Sequence, residues 1–251
     1  MALLKQLRSD TAAPLHLLKK AVEHSQNYET ALEYLQCALR EKGLLMSANK
    51  IAGVEGWIVA SQAGNTASLV EISCGTDFVA RSAAFVELAR RVGWSIAFLG
   101  VSTAKVEDIP LVDLPETSSV LGYSTVGEAI ASAIARLQET IRVERSVVVS
   151  AGSCVGVYAH GGPHRELGRI AALVSLSTGN AAVAADVARE LVGSAPASID
   201  ELWAIDRLDG RGTVGDSVSQ AVGSLPAIAA LARWERATPA SGFELLEGKR
   251  G

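Results

Sequence analysis

The pattern of apolar residues changes at Gly53, and this change constrains the fold more than any other feature of the chain. Before Gly53, apolar residues recur three and four positions apart, which is the spacing of one face of an α-helix. After it, residues 54–73 form two apolar-rich runs about a turn at Gly64-Asn65, which predicts a β-hairpin. The sequence therefore predicts an α+β fold in which a helical head precedes a mixed body.

The head, residues 1–52, is expected to contain three short helices. Pro14 suits the first turn of the second helix, where its missing N–H is no loss. The third helix is predicted over residues 28–40, and Gly43 is expected to end it. Residues 43–52 then indicate a connector, and the head is expected to share little contact with the body. Removing residues 1–42 should leave a folded body that binds its partner more weakly.

The body is predicted to form two related subdomains of antiparallel sheet with packed helices, residues 53–140 and 141–251. Helices are expected over residues 77–98, from the capping box Thr125-Glu128 to about 140, over 179–192, after the capping box Ser198-Glu201, and over 214–222. Strands are expected over residues 143–149, 154–159 and 170–176, while residues 228–234 fit a strand or a helix. Residues 100–119, with two prolines, indicate a loop.

Composition excludes several classes of protein. The formal net charge of −4 over 251 residues does not favour nucleic-acid binding. The three cysteines lie far apart without a Cys-x-x-Cys pair, which speaks against a zinc site or a disulfide framework. No run of eighteen apolar residues predicts a membrane span, and the first ten residues do not form a secretory signal.

Motifs for catalysis or cofactor binding are weak. Cys154 lies in Gly-Ser-Cys-Val-Gly, the spacing of a hydrolase nucleophile elbow, but such an elbow requires a helix where a strand is predicted. His160 and His164 are four apart, yet Gly-Gly-Pro between them precludes a helix that would align them for a metal. The chain has neither a P-loop nor a dinucleotide fingerprint, so no cofactor is expected.

The most informative segment is residues 71–81, at the junction between the hairpin and the next helix. Thr76 or Asp77 can cap that helix, because a side-chain oxygen there accepts a free N–H of the first turn. Phe78 precedes Phe85 by seven residues, and this spacing favours Phe78 as a member of the buried stripe. The alternative is that Phe78 projects from the helix tip.

The segment Cys74-Gly-Thr-Asp-Phe-Val-Ala-Arg closely resembles the Cys-Gln-Thr-Asp-Phe-Val-Ala-Lys signature of the elongation factor Ts family. Residues 7–22 are similar to that family's leading Leu-Arg-x-x-Thr and Lys-Lys-Ala-Leu segments. Glu139–Arg145 is similar to its Glu-Asn-Ile-x-Ile-Arg-Arg segment, and Tyr158-Ala-His-Gly to its Tyr-x-His-Gly hairpin. The resemblance covers residues 3 to about 195 well and the tail weakly.

The resemblance implies a ubiquitin-associated-like head and a nucleotide-exchange factor for the translational GTPase elongation factor Tu. Such a factor binds the GDP-bound and nucleotide-free GTPase, makes no covalent bond, and contacts neither nucleic acid nor membrane. Phe78 would act as an apolar wedge that disturbs the magnesium and phosphate site of the GTPase. The residues that the resemblance assigns to partner binding are Thr76, Asp77, Phe78, Val79, His160, Gly161, Ile141, Lys19 and Leu15.

The chain also departs from the family pattern. Residues 11–16 read Thr-Ala-Ala-Pro-Leu-His where the family has Thr-Gly-Ala-Gly-Met-Met, and the stretch between Val192 and Gly212 has no room for the bacterial coiled coil. Both departures favour a mitochondrial matrix protein whose presequence is absent from this chain, with the bacterial cytoplasm as the alternative. Two rival functions remain open: a small hydrolase using Cys154, and an adaptor without catalysis.

Overall fold

The structure, a computed structural model, describes residues 2–47, 53–101, 105–116, 120–150 and 154–236. A helical head is followed by a body of antiparallel strands and helices, which confirms the predicted α+β class. In chain order the elements are α1 (Ala2–Thr11), α2 (Leu15–Glu23), α3 (Tyr28–Ser47), β1 (Glu55–Ala63), β2 (Thr66–Cys74), α4 (Asp77–Ala80), α5 (Ala83–Leu99), α6 (Val126–Leu137), β3 (Ile141–Ser150), β4 (Cys154–Gly161), β5 (Leu167–Leu176), α7 (Ala181–Ser194), α8 (Ile199–Ala204), α9 (Val214–Val222) and β6 (Ile228–Glu235).

The strands form one antiparallel sheet in the order β3-β2-β1-β5-β4, with β6 also paired to β5. β1 and β2 make the predicted hairpin, closed by the pair Ala63–Thr66, and Gly64 has the positive φ that its two-residue turn requires. β5 meets β1 only at Leu167 and Gly168, and further along it pairs with β6. The sheet therefore consists of two three-stranded halves joined by a short seam.

The two halves repeat one pattern of connection. In each half a hairpin is followed by a helix, and a third strand then pairs antiparallel with the second strand of the hairpin. The predicted division at residue 140 assigned β3 to the second subdomain. The structure instead pairs β3 along the whole of β2, so Ile141–Ser150 completes the first half. Chain order alone could not show which hairpin this strand joins.

Three apolar layers hold the body together. α5 and α6 cover the outer face of the first half, where Phe85, Val92 and Ile134 are buried. α7, α8 and α9 cover the outer face of the second half in the same way. The inner face contains residues from all six strands, including Trp234. Since side chains alternate along a strand, each half buries both of its faces.

The head packs directly against the body, which corrects the expectation of little contact. α3 does not end at Gly43 but continues to Ser47 and crosses α6. A Cβ atom at Gly43 would lie 1.7 Å from the carbonyl oxygen of Ala131, so only glycine permits this approach. Leu121 and Ala135 of the body join the apolar core of the head. Residues 48–52 of the expected connector lie outside the described residues.

The helix predicted over residues 77–98 is in fact two helices. α4 ends at Ala80, and Ser82 begins α5 by accepting the N–H of Phe85 on its hydroxyl oxygen at 3.3 Å. The capping residues Thr125 and Ser198 accept backbone N–H groups as predicted. Across the described residues, no helix has the length and apolar character that crossing a membrane would require.

Candidate partner-binding surface

Residues 75–80 form a short projection between β2 and α5, which we call the tip. Thr76 caps α4, because its side-chain oxygen accepts the N–H of Val79 at 3.3 Å. Phe78 follows in the first turn with 85% of its surface exposed. The interpretation that Phe78 belongs to the buried stripe is therefore wrong. Its ring lies outside the core and is accessible to a partner.

Buried neighbours hold the tip against the body while Phe78 remains outside. Val79 and Ala80 insert into the core of the first half. The indole N–H of Trp57 donates to the carbonyl oxygen of Ala80 at 2.7 Å. Phe78 therefore projects from a fixed base rather than from a loose loop.

The carboxylate of Glu139 supplies a further attachment. It accepts the backbone N–H of Thr76 at 3.0 Å and the Thr76 hydroxyl at 2.7 Å. The pKa of the Cys74 thiol is raised to about 12, mainly because the thiol is buried and secondly because the Glu139 carboxylate is close by. Cys74 is consequently an inert packing residue at neutral pH.

Asp77 does not cap the helix but forms ion pairs on the surface of the tip. Both of its oxygens accept from Nε of Arg81, at 2.9 and 3.0 Å. A guanidinium nitrogen of Arg169 lies 3.9 Å from the same carboxylate and 2.6 Å from Glu55. Asp77 is half-exposed, so these pairs add little stability, and its oxygens remain accessible to a partner.

The hairpin between β4 and β5 carries His160 and Gly161, both exposed. The His160 ring stacks over Tyr158, two residues earlier on the same strand face, with centroids 6.4 Å apart. Gly161 adopts φ +84° where the pairing of β4 with β5 shifts register. The side chain of Arg169 lies beside Gly161 as well as beside Asp77. The hairpin and the tip therefore adjoin one shared arginine.

Leu15 and Lys19 lie one turn apart on the exposed face of α2. Leu15 is 45% exposed, while Leu17 and Leu18 on the opposite face are buried in the core of the head. An exposed leucine with a lysine one turn away is suited to contacting an apolar patch with an acidic edge. The resemblance assigned these two residues to partner binding, and the structure leaves both accessible.

Two of the nine assigned residues are buried. Val79 and Ile141 belong to the core of the first half, and Ile141 pairs with Cys74 at the start of β3. Their side chains support the tip from beneath and do not face solvent. Sequence reasoning also missed Trp57, Glu139 and Arg169, which contact the tip. Only Glu139 lay in a segment already singled out.

The candidate chemical sites do not assemble. Cys154 begins β4, is buried, and points its thiol toward the carbonyl oxygen of Leu176 at 3.7 Å. Residues 152 and 153 of the elbow pattern lie outside the described residues. His164 accepts the backbone N–H of Glu166 at 3.3 Å within its own loop. In the part of the chain that the structure describes, no three His, Cys, Asp or Glu residues are grouped to hold a metal ion.

The structure thus presents three exposed surfaces: the tip with Phe78, the hairpin with His160, and the face of α2 with Leu15. A family model described as elongation factor TS matches residues 75–204, just over half of the chain. Elongation factor Ts of Arthrospira platensis is 35% identical over 200 residues, which cover 78% of this chain and 74% of that protein. The chain belongs to the elongation factor Ts family and is thus a translation elongation factor.

The relatives differ in how much of their length the chain spans. Elongation factor Ts of Xylella fastidiosa (strain 9a5c) is 34% identical over 199 residues, and the chain spans 62% of its length. The mitochondrial elongation factor Ts of Schizosaccharomyces pombe is 27% identical over 268 residues, which cover 94% of this chain and 88% of that protein. At least one mitochondrial relative therefore matches this chain over nearly the full length of both proteins.

Proposed function

We propose that this protein is the guanine-nucleotide exchange factor of the GTPase elongation factor Tu and promotes GDP release during translation elongation. The observation that carries the proposal is the exposed Phe78 at the start of a helix whose next two residues are buried. An apolar side chain held in this way can enter a partner without the body having to rearrange. In this role Phe78 displaces groups that hold the magnesium ion and the phosphates.

The wedge requires a wider interface. If the factor accelerates GDP release by ~10⁴, it must lower that barrier by roughly 5.5 kcal/mol. One phenylalanine is not expected to supply all of this, because most interface residues contribute less than about 1 kcal/mol and only a few exceed about 2 kcal/mol. Leu15 and Lys19 of the head, and His160 and Gly161 of the hairpin, are exposed and provide the additional contacts. The partner is bound as the GDP complex and as the nucleotide-free protein.

The mitochondrial matrix is the proposed location. The near full-length match to a mitochondrial relative supports it. So does the short connection between α8 and α9, a tight loop closed by the bridge between Asp206 and Thr213 where the family resemblance would place a coiled coil. Fractionation of the source cells, with the endogenous protein detected by an antibody, would test the location. Recovery from the cytoplasmic fraction alone would contradict it.

The test of function is to mix the protein with elongation factor Tu loaded with fluorescent GDP and excess unlabelled GDP. The proposal expects the fluorescence to decay faster as the factor concentration rises, equally for the parent and for Cys154→Ser. Turnover of an ester substrate that disappears in Cys154→Ser would favour the hydrolase. Binding without faster GDP release would favour the adaptor, and either result would overturn the exchange function.

A further inference from the structure

We propose that Glu139 is a positioning residue of the exchange tip, and that the orientation of Phe78 in the partner depends on its carboxylate. This inference rests on the proposed function and assigns a task to a residue that does not itself enter the partner. The two hydrogen bonds from Thr76 to the Glu139 carboxylate, at 3.0 and 2.7 Å, carry it.

The tip needs an external support because α4 is only four residues long. A helix of one turn is unstable by itself, since nucleation fixes several residues for a single hydrogen bond. Thr76 holds its start by accepting the N–H of Val79. The same Thr76 hydroxyl donates its proton to Glu139, so the carboxylate sets the rotamer that the cap requires. Hydrogen bonds linked in this way strengthen one another.

Glu139 is itself firmly placed. It follows Gln138, which ends α6 in a left-handed conformation and donates its N–H to Ile134 at 2.8 Å. Two residues later Ile141 pairs with Cys74, at the end of the strand that leads into the tip. The end of a long helix and the start of a paired strand therefore fix the carboxylate from both sides.

Gly75 leaves space for this contact. A Cβ atom at Gly75 would lie 3.1 Å from a carboxylate oxygen of Glu139, closer than most such contacts. A glycine here also loosens the backbone of the tip, which makes an external attachment at Thr76 more important.

The decisive test measures the rate of GDP release from elongation factor Tu at a series of factor concentrations. It yields two quantities, the maximal rate and the factor concentration at which the rate is half-maximal. Glu139→Ala should lower the maximal rate about tenfold, because a charged hydrogen-bond acceptor is lost. The half-saturating concentration should change little, since the wider interface remains. Glu139→Gln keeps one acceptor oxygen and should fall between Glu139→Ala and the parent.

A matched control is Glu201→Ala. Glu201 accepts the backbone N–H of Ala197 at 2.7 Å and stands three residues after the cap Ser198, so it makes the same kind of contact at the start of α8. If Glu139 only stabilised the fold, Glu139→Ala and Glu201→Ala should affect GDP release to the same extent. We expect similar melting temperatures for both, with slow GDP release in Glu139→Ala alone.

A double-mutant cycle with Thr76→Val shows whether Glu139 acts through Thr76. The effects should be less than additive, because the hydrogen bond from the Thr76 hydroxyl to Glu139 is lost in either single variant and cannot be lost twice. Additive effects, or a maximal rate for Glu139→Ala equal to that of the Glu201 control, would overturn the inference. Failure of the parent protein to accelerate GDP release from elongation factor Tu would instead overturn the proposed exchange function, so the two failures are distinguishable.

Discussion

Truncation of the wedge, Phe78→Ala, separates a residue that stabilises the fold from one that acts on a partner. A fully buried phenylalanine costs about 3–5 kcal/mol when replaced by alanine. Phe78 is 85% exposed, so only the remaining 15% of its surface is buried. Scaling the core value by that fraction gives a loss of unfolding free energy below about 1 kcal/mol. The melting temperature should then fall by less than roughly 4 °C.

Phe85→Ala is the matched control, since Phe85 is the same residue type in the neighbouring helix and is fully buried. It should cost the full core value and lower the melting temperature by roughly 6–20 °C. The loss of a wedge worth at least 2 kcal/mol should slow the maximal GDP release of Phe78→Ala about thirtyfold. Thermal melting and stopped-flow release on one preparation measure both effects. A large fall in melting temperature, or parental exchange, for Phe78→Ala would refute the wedge.

Two substitutions and one labelling experiment test other parts of the molecule. His160→Ala should weaken binding to the GTPase by about 1–2 kcal/mol in titration calorimetry, and stoichiometric zinc lost in this variant would contradict a binding role. Gly43→Ala should push α3 away from Ala131, because the added carbon atom meets the backbone of α6. The free energy of unfolding in urea should fall by more than about 3 kcal/mol. An unchanged midpoint of the urea transition would argue against the close crossing of the two helices. At pH 8 the exposed Cys37 should react with a thiol reagent. Cys74, whose pKa is raised to about 12, should not react until the protein is denatured. Rapid labelling of Cys74 in the folded protein would contradict its burial.

The sequence was sufficient for features set by neighbouring residues. The hairpin followed from two apolar runs about Gly64-Asn65, and the caps at Thr125 and Ser198 followed from a glutamate three positions later. These signals are local, because a turn or a cap uses hydrogen bonds between residues close in the chain.

Features that depend on where a helix is interrupted, or on contacts distant in the chain, could not be predicted. Phe78 was expected in the buried stripe because it stands seven residues before Phe85, but this spacing applies only along a continuous helix. Ser82 interrupts the helix and changes the direction of the following turns. The contact between Thr76 and Glu139 joins residues 63 positions apart, and periodicity carries no such information.

Gly43 and Ile141 show the same limit. Gly43 was expected to end α3, since glycine commonly follows the last turn of a helix. Its actual use is to let two helices approach, and this depends on the backbone of Ala131. Ile141 was assigned to the partner because of its place in a family-like segment, whereas its pairing with Cys74 buries it. A motif thus located the tip region but did not separate its contacts from its supports.

The central claim is that binding of this factor and binding of GDP to elongation factor Tu oppose each other. Thermodynamic linkage requires that the factor weaken GDP by the same ratio by which GDP weakens the factor. The direct measurement is the dissociation constant of the factor for nucleotide-free and for GDP-bound elongation factor Tu. We expect markedly tighter binding to the nucleotide-free form, with the difference reduced in Phe78→Ala. Equal affinity for the two forms would contradict the account, because a ligand that binds both states equally shifts neither.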